Sequence, residues 1–126
     1  MLEMVYTNKR TKGLVLNAGV YKGYSFKVVS YGTHPCCYVN IGKAEQYNSM
    51  SVTHIASSLG VHGGITYVER KVPITGRTTS NLWLGWDYMS TSDYMDKKHW
   101  TTEELMDAVK KCINDLIKIK ENMKSL

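Results

Sequence analysis

The stretch that follows Trp100 limits the fold more than any other part of the chain. Apolar residues recur there every three or four positions, at Leu105, Val109, Cys112, Leu116, Ile119 and Met123. On an α-helix that spacing lines the side chains up as one stripe. Thr101 followed by Glu104 predicts a capping box at its start, with Trp100 and Leu105 placed for a hydrophobic staple. Glu103 and Glu104 at one end and Lys118 to Lys124 at the other both suit the helix dipole. A stripe this long needs a sheet or a second copy of the chain to cover it, so a homo-oligomer is one expectation.

The preceding residues read as strands. Residues 2–6, 14–20, 24–31 and 36–41 are rich in β-branched and aromatic types, and Gly13, Gly23, Gly32 and Gly42 mark their ends. Runs this closely spaced favour antiparallel neighbours on short turns. Pro35 suits the first residue of a strand. A short helix is expected over 52–59, capped by Ser51 and stopped by a left-handed Gly60. Two further strands are expected over 64–70 and 81–87, separated by a polar loop with Pro73, Gly76 and Arg77, and residues 88–99 read as loop. The expected fold is α+β, one domain over 1–126: an antiparallel β-sheet with a short central helix and a long C-terminal amphipathic helix.

Composition narrows the function classes. No apolar run reaches the ~18 to 20 residues of a membrane helix, and the first twelve residues mix charges with apolar types, as no secretory leader does. A cytoplasmic protein with no membrane partner is expected. A net charge of +5 favours anionic partners. Cys36 and Cys37 are adjacent and so point to opposite strand faces, and Cys112 is remote, which predicts reduced, packed thiols.

Motifs for chemistry are sparse. The histidines at 34, 54, 62 and 99 form no helical metal pair, Cys-x-x-Cys is missing, and His34 with Cys36 gives only two neighbouring ligands. There is no nucleophile elbow and no Walker or dinucleotide loop. No cofactor, no metal and no catalysis are expected; an acid–base set of His62, Asp87 and Asp93 would lack any established pattern.

Two segments stand out. In Val61-His62-Gly63-Gly64-Ile65-Thr66-Tyr67 the paired glycines let backbone approach a ligand and offer amide donors to an anion, or simply make a tight turn. In Trp83-Leu84-Gly85-Trp86-Asp87 the tryptophans, three apart, face opposite sides of a strand. One face must be core, and Trp86, beside the following loop, is the one expected to be free for a ligand.

Together with Cys36-Cys37-Tyr38-Val39-Asn40-Ile41-Gly42, these segments resemble a family of small phage and bacterial proteins. Its usual motifs are His-Gly-Gly-Leu-Thr-Tyr and Phe-Gly-Phe-Asp, with a His and an Asp a few residues on. The resemblance covers roughly residues 24 to 117. It associates the chain with the type-one Thoeris anti-defence proteins, sponges that sequester a cyclic ADP-ribose isomer. It implies an oligomer with pockets near subunit contacts, a small anionic cyclic nucleotide as ligand rather than nucleic acid, and no cleavage of that ligand. Carried to this sequence, the implied binding residues are His62, Gly63, Gly64, Trp86, Asp87 and Tyr88, with Lys110 and Lys111 as helix bases. Leu84 replaces the family's first aromatic and its histidine is missing from 88–93, so Trp86 or Tyr88 must supply the stacking ring. The alternative is a protein inhibitor of anti-restriction or anti-CRISPR type, acting through a basic helix surface.

Overall fold

The computed structural model describes residues 3–7, 11–30, 34–43, 52–88 and 100–124. In chain order its elements are β1 (Glu3–Thr7), β2 (Thr11–Tyr21), β3 (Tyr24–Ser30), β4 (Pro35–Asn40), α1 (Val52–Ser58), β5 (Tyr67–Lys71), β6 (Thr78–Asp87) and α2 (Thr102–Lys124). The strands form one antiparallel six-stranded sheet in the order β1-β2-β3-β4-β6-β5. Four strands meander, the chain passes through α1 to the far edge, and a hairpin brings β6 back between β4 and β5. The α+β arrangement is the expected one. No helix among the described residues is long and apolar enough to cross a membrane.

Local chemistry explains most boundaries. Pro35 opens β4, where its missing N–H breaks no ladder bond. Strand β5 begins at Tyr67 rather than Gly64, because the preceding residues fold into a turn closed by Gly64 N donating to the Val61 carbonyl at 3.1 Å. Strand β6 begins three residues ahead of the expected 81, because Thr78 pairs with Lys71 across the hairpin. Within that hairpin Thr75 N donates to the Pro73 carbonyl at 2.9 Å around Ile74, whose φ is 77°. A β-branched residue is strained there, and burial of its side chain offsets the cost. Helix α1 ends without a left-handed Gly60; Leu59 N bonds the Ala56 carbonyl at 3.3 Å, tightening the last turn. Ser51, its expected cap, lies outside the described residues.

The main core lies between the sheet and the helices. Phe26, Val28, Cys37, Val39, Leu84 and Trp86 face Leu105, Val109, Cys112, Ile113 and Leu116 of α2, with Ile55 and Leu59 of α1 beside them. Leu105, Val109, Cys112 and Leu116 of the expected stripe are buried and Ile119 is partly buried, with Ile113 added because a helix packed on a sheet buries more than a single row; the side chain of Met123 lies outside the described residues. The sheet covers these buried residues, so they need no second copy of the chain to bury them. The capping box forms as expected. Glu104 N donates to Thr101 Oγ1 and Thr101 N to Glu104 Oε1, each at 3.1 Å.

The opposite sheet face carries a second cluster of Val29, Cys36, Tyr38, Ile74 and Trp83. Cys36 and Cys37 thus do point to opposite faces, and all three cysteines are free and buried.

Truncating Leu116 to alanine should cost about 2–5 kcal/mol, whereas Thr101→Ala should cost only about 1 kcal/mol. Urea unfolding of the two variants measures the difference; equal losses would mean that α2 is held by its cap and not by its stripe.

Candidate functional site

The residues singled out in the sequence meet where β6 ends. Register places Trp86 opposite Cys37 and Asp87 opposite Cys36 on β4. Tyr88, just past the strand, is tied by its N–H to the Pro35 carbonyl at 3.1 Å. Trp86 Nε1 donates to Tyr88 Oη at 3.1 Å. The His62 ring stacks on Tyr88 with centroids 4.5 Å apart and planes 17° from parallel. Trp100, just before α2, completes the group, 5.1 Å from His62 and 4.6 Å from Tyr88. Three remote segments thereby contribute one ring each.

The glycines make this approach possible. Val61 to Gly64 form a turn in which Gly63 and Gly64 have φ of 70° and 80°, a region other residues enter at a cost. A Cβ on Gly63 would sit 3.9 Å from the Asp87 carbonyl, so backbone conformation and not crowding demands glycine there. The turn is tied to β6 by Thr66, whose N–H donates to the Gly85 carbonyl at 2.9 Å and whose hydroxyl donates to Asp87 Oδ2 at 3.1 Å.

His62, Gly63, Gly64, Trp86, Asp87 and Tyr88 are therefore brought together. Of the two lysines, Lys111 lies beside this group and Lys110 does not. Lys111 Nζ donates to the Gly60 carbonyl at 3.4 Å and lies 3.7 Å from the Asp115 carboxylate, near the turn that carries His62. Lys110 points elsewhere, 5.8 Å from the Tyr21 ring centroid at the β2–β3 hairpin.

Trp86 is not the exposed tryptophan that was expected. It is 1% exposed on the helix-facing side, while Trp83 is 5% exposed on the other side. The expectation assumed that only one sheet face is core, but apolar clusters occupy both. Stacking of a ligand on Trp86 is thereby ruled out in this conformation, and Tyr88 is buried beside it. The ring that sequence reasoning missed is Trp100, which had been assigned only to the helix staple.

No protein-family model, curated protein or solved structure matches the chain.

The properties of this corner follow from its own side chains. Burial pushes the Cys36 thiol up to about 12, a rise that the Tyr38 hydrogen bond opposes and the Asp87 charge reinforces. Cys112 is raised to about 12, again chiefly by burial, and Cys37 is raised further for the same reason. At neutral pH all three are protonated thiols, unsuited to nucleophilic attack. Among the described residues no three of His, Cys, Asp and Glu gather into a metal-binding group.

Beside the corner, Gly85 answers a packing demand. A Cβ there would lie 2.6 Å from Tyr38 Cδ1 and 3.0 Å from the Cys37 carbonyl. Tyr38 and Tyr67, the register partners of Gly85 on either side, meet edge-on over it with centroids 5.2 Å apart.

Gly85→Ala should destabilise the fold by displacing Tyr38, and Trp86→Ala should cost about 3–5 kcal/mol as a core truncation. Thermal unfolding tests both; a Trp86→Ala protein of near-normal stability would contradict this placement of the ring. A separate expectation concerns pH. Because the folded thiols titrate above their unfolded value, their contribution to stability is complete below about pH 9 and is lost as pH rises towards 12. Each ionising thiol should add up to about 1.4 kcal/mol of loss per pH unit. Urea midpoints between pH 8 and 10.5, compared with a Cys36→Ala protein, would show a shallower decline in the variant.

Proposed function

We propose that this protein binds a small anionic cyclic nucleotide and holds it intact, a sequestering role of the phage anti-defence kind. The observation that carries this reading is the His62–Tyr88–Trp100 ring group. Tyr88 forms its buried floor, whereas His62 and Trp100 are only half-buried. A purine laid against such a surface gains stacking of ~1 to 3 kcal/mol. Lys111, 65% exposed, is the base within reach of this corner for a phosphate. The Gly64 N–H is spent on the turn, so phosphate contact falls to the lysine side chain more than to a cradle of backbone amides.

Retention without cleavage is favoured by how the reactive groups are engaged. His62 is stacked on Tyr88 and meets Trp100 edge-on, Asp87 accepts from Thr66, and the thiols are protonated. The inhibitor alternative draws little support from α2. Its solvent-facing residues Lys110, Lys111 and Lys118 are interspersed with the equally exposed Glu103, Asp107 and Glu121, which is a mixed surface and not a basic one.

Incubation with a cyclic ADP-ribose isomer, followed by heat release and mass spectrometry, should return the nucleotide unchanged. Recovery of a linear product would replace sequestration with catalysis. His62→Ala and Trp100→Ala should each weaken binding by roughly five-fold to more than a hundred-fold. Unaltered affinity in both, with folding intact, would remove the ring group from the site.

A further inference from the structure

The other end of the sheet holds a cleft that the ring group does not involve. Register places the start of β3 and the end of β4 together there, remote from the Cys36–Asp87 pair. The Lys22–Gly23 turn, Tyr24 and Ser25 of β3, residues Asn40 to Gly42, Asn81 of β6 and Lys120 of α2 enclose a cavity of about 420 Å³. That is the size of a small-ligand site. Its described lining carries two lysines and no carboxylate.

Lys22 is the unexpected residue. A two-residue hairpin turn with positive φ at both positions favours Asn-Gly. Here Lys22 takes φ 49° and Gly23 φ 87°. A lysine is strained in that conformation and gives the turn nothing that asparagine would not give. What it does supply is a cationic side chain at the edge of the cleft. Its Nζ donates to Asn114 Oδ1 of α2 at 2.8 Å and lies 5.3 Å from the Tyr21 ring centroid. Lys110 stands over the same ring. Lys22 at the turn and Lys120 in the wall are the two cationic residues of the lining, and their charge favours an anion there. Ser25, Asn40 and Asn81 add neutral polar residues to the lining, and Asn40 Oδ1 already accepts from Gly42 N at 2.8 Å, which leaves its amide NH2 to donate.

We infer that this cleft binds a phosphorylated small molecule of about mononucleotide size. Lys22 and Lys120 hold its phosphate oxygens, while Ser25, Asn40 and Asn81 meet its polar remainder. The site stands apart from the ring-group reading and does not depend on it.

Adenosine diphosphate is a suitable probe, followed by amide NMR shifts, with inorganic pyrophosphate as competitor. Saturable shifts should cluster at Gly23, Ser25, Gly42 and Asn81, and pyrophosphate should displace the nucleotide. Lys22→Asn should keep or raise the unfolding temperature, because asparagine suits the turn, yet weaken binding by roughly ten-fold or more. Lys120→Ala should weaken binding as well, and the salt dependence of affinity should fall in both variants. Normal affinity in Lys22→Asn would overturn the proposal, as would the absence of saturable shifts at millimolar nucleotide. Shifts confined to Gly63, Gly64 and Tyr88 would overturn it too, while leaving the ring-group reading standing.

Discussion

A strand buried on both faces must solve two packing problems with one sequence, and β6 is that strand. Each residue from Leu82 to Trp86 is buried. Leu82, Leu84 and Trp86 face the helices, while Trp83 enters the cluster on the opposite side. A slip of one residue would exchange the two sets, so the register against β4 is strongly specified. The solution is imperfect. Trp83 Nε1 is buried without a hydrogen-bond partner among the described residues, which costs about 1–3 kcal/mol and is offset by burial of the ring. Gly85 has no side chain because Tyr38 and Tyr67 occupy the space above it.

This constraint changes the meaning of the segments singled out in the sequence. Tyr38, Tyr67 and Gly85 come from the three stretches that carry the family resemblance, and all three serve one contact. Cys37 and Trp86 form another matched pair across β4 and β6, continued by the Trp86–Tyr88 hydrogen bond. Much of what looks like a binding signature is therefore architecture. The proposed binding rests on the residues at the rim of that architecture, His62, Trp100 and Lys111.

Wherever one local rule sufficed, the fold was legible in the sequence. The capping box of Thr101 and Glu104, the stripe of α2, the opposed cysteines and the proline opening β4 each follow from spacing a few residues long. The remainder depended on partners distant in sequence. The early start of β6 needs Lys71, and the helical role of Ile113 needs a sheet broad enough to bury it. The fate of Trp86 needs knowledge that Ile74 and Tyr38 fill the other face. Alternation said correctly that the tryptophans diverge; it could not say that both directions lead inward. Trp100 was hidden for a related reason, since its neighbours His62 and Tyr88 are assembled by the sheet and not by the helix it precedes.

Helix α2 spans both ends of the molecule and divides its basic residues between them. Lys110 and Lys111 are adjacent in sequence, but one helical step turns them about 100° apart. Lys111 reaches the Gly60 carbonyl beside the ring group, whereas Lys110 joins Lys22 over Tyr21. The pair is therefore not one anion clamp, and a single ligand bridging both is not what this arrangement favours. Each end instead combines a short turn with a lysine from the helix: Val61 to Gly64 with Lys111, and Tyr21 to Tyr24 with Lys110 and Lys120. Both turns adjoin strands of the packed sheet, and the helix is fixed by its buried stripe, so the backbone that carries each of these groups is held in place. Such preorganisation would lower the ordering cost of the binding proposed above.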